Sequence, residues 1–210
     1  MEKFVKISKL LIGFIIGGLL FFKTLLPSIL TSGAIFVNVT SVELLTLVNC
    51  TIYVLWMLFF KSVADCCAGE PDVCKYSSYG RTGALLFVIS CGINFTDNFI
   101  SSVMISLPPV LLNSLGLSMA DDLETLLDIA GGVLMALAFY RLSARMEKGS
   151  NMKAATLATA IAIIAVTATI LLWSDAPFME SFTLAKAGME IWFLISCIRH
   201  QPFCPQDSAR

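Results

Sequence analysis

Charge and histidine are what this chain has least of. Only 14% of its 210 residues are charged, against about 25% in an ordinary soluble domain. One histidine, His200, stands in the whole sequence. That excludes haem ligation by paired histidines and the His-Glu-x-x-His zinc helix. There is no Gly-x-Ser-x-Gly elbow and no Gly-rich phosphate loop ending in Gly-Lys-Ser/Thr, so the common hydrolase and nucleotide signatures are missing too. Alternating barrel-strand patterning is absent. The net charge of −1 points to neither nucleic acid nor an acidic partner.

What the sequence has instead is apolar length. Hydrophobic residues make up 57% of it and the mean hydropathy is +0.84. A bilayer core of about 30 Å takes roughly 20 helical residues to cross, and backbone amides in lipid must pair within a helix. Leu10–Leu30, Val42–Phe60, Thr82 to about Leu107, Leu123–Tyr140 and Lys153–Trp173 fit that length. Ser181–Ile198 is marginal because Lys186 and Glu190 interrupt it. The fold class expected is an all-α polytopic membrane bundle of five to six transmembrane helices.

Basic residues favour cytoplasmic loops. Lys3, Lys6 and Lys9 precede the first helix; Lys61, Lys75 and Arg81 flank the loop after the second; Arg141, Arg145, Lys148 and Lys153 flank the loop after the fourth; Arg199 and Arg210 follow the sixth. With six spans and both termini inside, twelve of the 14 Lys and Arg residues fall on one side, leaving Lys23 and Lys186 within spans. The remaining loops carry only acids: Glu43, then Asp121, Asp122 and Glu124, then Asp175 and Glu180. The N-terminal stretch reads as an uncleaved signal-anchor rather than a cleaved signal. The localisation expected is the bacterial inner membrane, multi-pass.

Two stretches resemble copies of one unit. Sliding the chain by 80 residues lays Phe59–Phe60–Lys61 on Phe139–Tyr140–Arg141. Each unit is an apolar helix with a basic end, a charged loop of which the first runs about twenty residues to Gly80–Arg81, and a return helix. The domain organisation expected is a signal-anchor helix over 1–31, a first hairpin over 42–107, a second over 123–174, and a sixth helix with tail over 181–210.

Several features admit a bland and a sharp reading. Cys66, Cys67 and Cys74 lie in the expected cytoplasmic loop, where thiols stay reduced; they are read as free thiols, with S-acylation or a zinc site completed by His200 as alternatives, and no metal or other cofactor is assigned. Cys50 and Cys91 sit inside spans as small packing residues. The sequons at Asn38, Asn49 and Asn94 fall at or inside span edges. Asp97 and Asp128, with Asn94 and Asn98 beside the first, either cap helix ends or form a cation or proton site inside the membrane. Lys186 and Glu190 are spaced to pair on one helical face. Gly17–Gly18 and Gly131–Gly132 either permit close helix approach or are the glycines membrane helices commonly tolerate. Phe99–Leu117, broken by Pro108–Pro109, reads as a re-entrant or interfacial segment.

Leu126–Leu127, Gly131–Gly132, Phe139–Tyr140–Arg141 and the return helix from Lys153 carry a family resemblance, repeated more loosely at Leu44–Lys61 and Gly80–Gly92. The pattern resembles the small inner-membrane proteins of type IVB secretion and conjugation systems, the DotE/IcmC, DotP/IcmD and TraQ/TraR-like proteins. The cysteine loop and the absence of a proline exit from the return helices depart from it. The resemblance implies a non-enzymatic subunit of a secretion or conjugation machine, packed against other membrane subunits as a homo- or hetero-oligomer in the lipid bilayer, with Gly131 and Gly132 at the contact. The alternative is a small transporter or channel using Asp97 and Asp128. No catalytic residue is expected.

Overall fold

The computed structural model describes residues 2–32, 35–67, 70–103, 117–147, 149–172 and 179–200, with side chains at 21–42, 97–121 and 172–180 left aside. Among the described residues the chain is all-helical: α1 Glu2–Ser32, α2 Ile35–Cys66, α3 Pro71–Val103, α4 Leu117–Ala144, α5 Asn151–Leu172 and α6 Met179–His200. Four of these are long and apolar enough to cross a membrane, over Glu43–Cys66, Asp122–Ala144, Asn151–Leu171 and Ser181–His200. Their outer faces carry large exposed apolar side chains such as Leu126, Ile161 and Leu171, as lipid-facing surfaces require.

The helices form a closed ring in chain order. Each packs on its chain neighbours, and α1 packs on α6 to complete the circle. Neighbours run antiparallel, which the pairings along each seam display: Tyr53 stacks on Phe87 while Phe60 covers Gly80, and Asn94 meets Glu124 while Asp72 pairs with Arg145. The axis is filled from the end that carries the basic residues. Phe4 of α1, Trp56, Phe59 and Phe60 of α2, Phe139 of α4 and Phe193 of α6 are all buried there. Trp56 meets Phe139 edge-on at 5.4 Å, and Phe139 meets Phe193 edge-on at 5.0 Å. Edge-to-face rings at such spacings each add about 0.5–1.5 kcal/mol beyond burial. In lipid, where apolar burial between helices gains little, such packing carries the bundle.

The expected twenty-residue loop after the second helix is corrected. α2 continues to Cys66 and α3 begins at Pro71, so only residues 67–70 separate the two helices. Pro71 pre-sets the first helical φ, and Asp72 sits in the first turn. The extensions persist because they bury Ser62, Val63, Val73 and Ser77 at this end. Gly80, expected to close a loop, lies inside α3; a Cβ there would stand 2.4 Å from the Phe60 ring. Cys74 Sγ lies 3.5 Å from the carbonyl of Cys67 and 3.7 Å from that of Ala64, so the thiol donates into the turn. The second turn, residues 145–150, uses Gly149 at φ +84°, a conformation glycine adopts without strain.

Both turns lie at the same end of the ring, joined by the exposed ion pair of Arg145 with Asp72. On the 80-residue slide, Phe59 and Phe139 are both fully buried, but Phe60 is buried where Tyr140 is 54% exposed. The segment around Pro108–Pro109 lies outside the described residues.

Candidate functional site: a polar vestibule above an aromatic floor

The intramembrane polar side chains gather on the inner face of the ring, on the side of the aromatic plug away from the basic end. On α4, Glu124 and Asp128 are spaced to share one helical face. Asn94 Nδ2 of α3 donates to Glu124 Oε1 at 2.9 Å, and Thr46 Oγ1 of α2 donates to Asn94 Oδ1 at 3.2 Å. Ser90, one turn along α3 from Asn94, lines the same cavity as Asp128. These groups line a cavity of about 170 Å³ with Asn49, Tyr53, Phe87 and Cys91.

A second, larger cavity of about 370 Å³ lies between α1, α2 and α6, walled by Ile15, Leu19, Leu45 and Ile52 and bearing Lys186 and Glu190. Lys186 Nζ stands 3.2 Å from Glu190 Oε1, with side-chain exposures of 17% and 3%. The pair is close but not aligned as a hydrogen bond, since Glu190 Oε1 accepts none. Lys186 Nζ also lies 5.6 Å from the Tyr53 ring centre, a cation–π arrangement. Tyr53 and Asn49 border both cavities. Tyr53 stands as the partition, held flat against Phe87 at 4.3 Å and 8°.

Tyr53 and Glu190 lie near the middle of their apolar spans. Trp56 and Phe193 follow each by three residues, about 4.5 Å deeper. The aromatic plug is therefore the floor of the vestibule.

No family model matches the chain, nor does any curated protein or solved structure.

The residues singled out in the sequence fall as follows. Asp128 faces the smaller cavity, and Lys186 and Glu190 form the wall of the larger. The side chain of Asp97 lies outside the described residues. The carboxylate that joins Asp128 is Glu124, which the sequence places with it in the first turns of the same span without singling it out as a site residue. Gly131 and Gly132 do not face outward: a Cβ on Gly131 would stand 2.9 Å from the carbonyl oxygen of Gly83, and one on Gly132 2.1 Å from Thr167 Oγ1. The expectation that this pair meets another subunit is corrected, because α3 and α5 already occupy it. Among the described residues, no three His, Cys, Asp or Glu side chains converge as metal ligands.

Proposed function

We propose that this chain is a small membrane transporter or channel that takes a small cation or protons into the vestibule lined by Glu124, Asp128 and the Lys186–Glu190 pair. The observation that carries the reading is the inward orientation of all four ionisable groups around two adjoining cavities, within helices long and apolar enough to span. Glu190 lies near mid-span and Asp128 and Lys186 lie inside their spans, with Glu124 at the span's edge; charges within a membrane are costly and concentrate where they handle ions or protons. Three carboxylates face one ammonium, so the vestibule attracts positive charge. All six helices cross the bilayer in this reading; the support is that α1 and α3 stand in the ring between helices that meet the span criterion. The Lys/Arg-rich end is taken as cytoplasmic, in a bacterial inner membrane, and α2–α3 and α4–α5 as descendants of one hairpin. The subunit reading, with its secretion or conjugation partner, drew on small-residue spans such as that of Gly131–Gly132, on the little mass outside the spans and on the missing catalytic signatures. Both glycines are used within the chain, which leaves the carboxylate vestibule as the better-supported basis for function.

Purified protein in liposomes tests the proposal directly. Imposed proton, Na⁺ and K⁺ gradients should dissipate faster than in empty liposomes for at least one ion, and Glu124→Gln with Asp128→Asn should remove that flux while the protein stays folded. Equal leakage from wild-type, doubly substituted and empty liposomes would sink it.

A further inference from the structure

We infer that α6 is the moving element of a gate, with Phe193 as its ring in the floor and the Lys186–Glu190 pair as the latch that couples the vestibule to it. The inference rests on the vestibule reading for its purpose but on separate geometry for its parts. Lys186, Glu190 and Phe193 are spaced by four and then three residues, which puts them on one face of α6. That face looks into the larger cavity at Lys186 and Glu190 and into the plug at Phe193, which touches Trp56, Phe59 and Phe139 at 6.3, 5.7 and 5.0 Å. Any tilt of α6 that withdraws the ion pair from Tyr53 also draws Phe193 from the floor.

The helices from α2 to α5 are closely clamped to one another. Phe60 fills the space above Gly80, Gly83 and Gly131 bring the backbones of α3 and α4 together, and Thr167 fills the space above Gly132, locking α2 to α5 into one unit. α6 has no such lock: a Cβ on Gly188 would meet nothing within 4 Å. Its polar tie is on the α5 side, where the Thr159 hydroxyl lies 3.0 Å from the carbonyl of Met189 while also reaching Ala155 O at 2.9 Å. One proton serves two acceptors, so the tie can be exchanged without a lost bond. The α5–α6 edge is thus the pivot. The opposite edge, toward α1 and α2, is where the 370 Å³ cavity already separates the helices. The structure is the state closed to the basic end.

Thiol accessibility tests this without requiring any transport. Cys91 borders the smaller cavity above the floor. In a variant retaining Cys91 alone, an impermeant thiol reagent should fail to reach it from the basic end in oriented vesicles. Phe193→Ala should raise modification from that end by about tenfold or more, as expected when a state populated at the per-cent level becomes a major one. Glu190→Gln, which releases Lys186, should raise it in the same direction. Phe182→Ala, on the exposed side of α6, should not. Phe193→Leu keeps the floor largely filled and carries the test should Phe193→Ala fail to fold, with a smaller rise expected. Unchanged basic-side modification in folded Phe193 and Glu190 variants, or a wild-type Cys91 already reactive from that end, would overturn the gate. Flux without the accessibility change refutes the gate alone; the accessibility change without flux refutes only the transporter reading.

Discussion

Adding a single methyl group at Gly83 should loosen the bundle, while adding one at Gly188 should tighten it. Both glycines are helical, so both gain up to about 1 kcal/mol of helix propensity on becoming alanine. Their surroundings differ. A Cβ at Gly83 would lie 2.6 Å from the carbonyl oxygen of Gly131 and 2.9 Å from the amide nitrogen of Met135. Both are backbone atoms, fixed by their own helix, so α3 and α4 must separate by most of an ångström. That separation also strains the seam that holds Asn94 on Glu124. Overpacking of this kind costs about 1–3 kcal/mol, which exceeds the propensity gain, so Gly83→Ala is destabilising on balance. At Gly188 nothing lies within 4 Å, and only the gain remains. Equilibrium unfolding in mixed micelles, followed by circular dichroism, measures both. A Gly83→Ala protein as stable as wild type would refute the claim that α3 and α4 meet backbone to backbone here. Gly132→Ala adds a control of different kind, since the obstacle is the Thr167 hydroxyl, and Thr167→Ala paired with it should recover part of any loss.

Two further outcomes follow from the buried polar groups. Lys186→Met strands Glu190 in the bundle and should cost about 3–5 kcal/mol of stability, whereas Lys186→Met with Glu190→Leu should recover most of it; a double variant no better than the single one in the same unfolding assay would show that the pair is not coupled. Ser77 is buried with its hydroxyl unbonded, so Ser77→Ala should stabilise by up to about 1 kcal/mol, and a clear loss of stability there would point to a partner for that hydroxyl.

Much of the architecture was legible because lipid and helix impose the same arithmetic on every span. Apolar runs marked where all six helices lie. Their ends were misjudged where the helices project beyond the apolar core: nothing in the polar stretch after Lys61 announces that Val63, Val73 and Ser77 are buried, because that burial depends on two helices meeting. The site was half legible. Asp128, Lys186 and Glu190 stand out as ionisable groups inside spans. Glu124 reads both as an acid beside Asp121 and Asp122 and as a first-turn neighbour of Asp128; its spacing to Asp128 matches that of Asn94 to Ser90 on the facing helix, and that shared period was a readable signal. The part played by Gly131 and Gly132 was not readable, since a glycine states only that something comes close, never what.

A ring whose neighbours in space are neighbours in sequence also has a natural order of assembly. Chains are made from the N-terminus, and domains form as they emerge. Here each new helix packs first on the one made before it, and the only backbone seam between helices distant in sequence is the last, α6 on α1, while the rings of α2, α4 and α6 meet across the axis. That last helix also carries a paired lysine and glutamate inside its span, and charged residues are those a bilayer accepts least readily. By the time it enters, the aromatic face of Tyr53 and the hydroxyl of Thr159 are in position to receive it. The most reluctant helix is thus delivered to a prepared slot, and completing the ring and burying its charges become a single event.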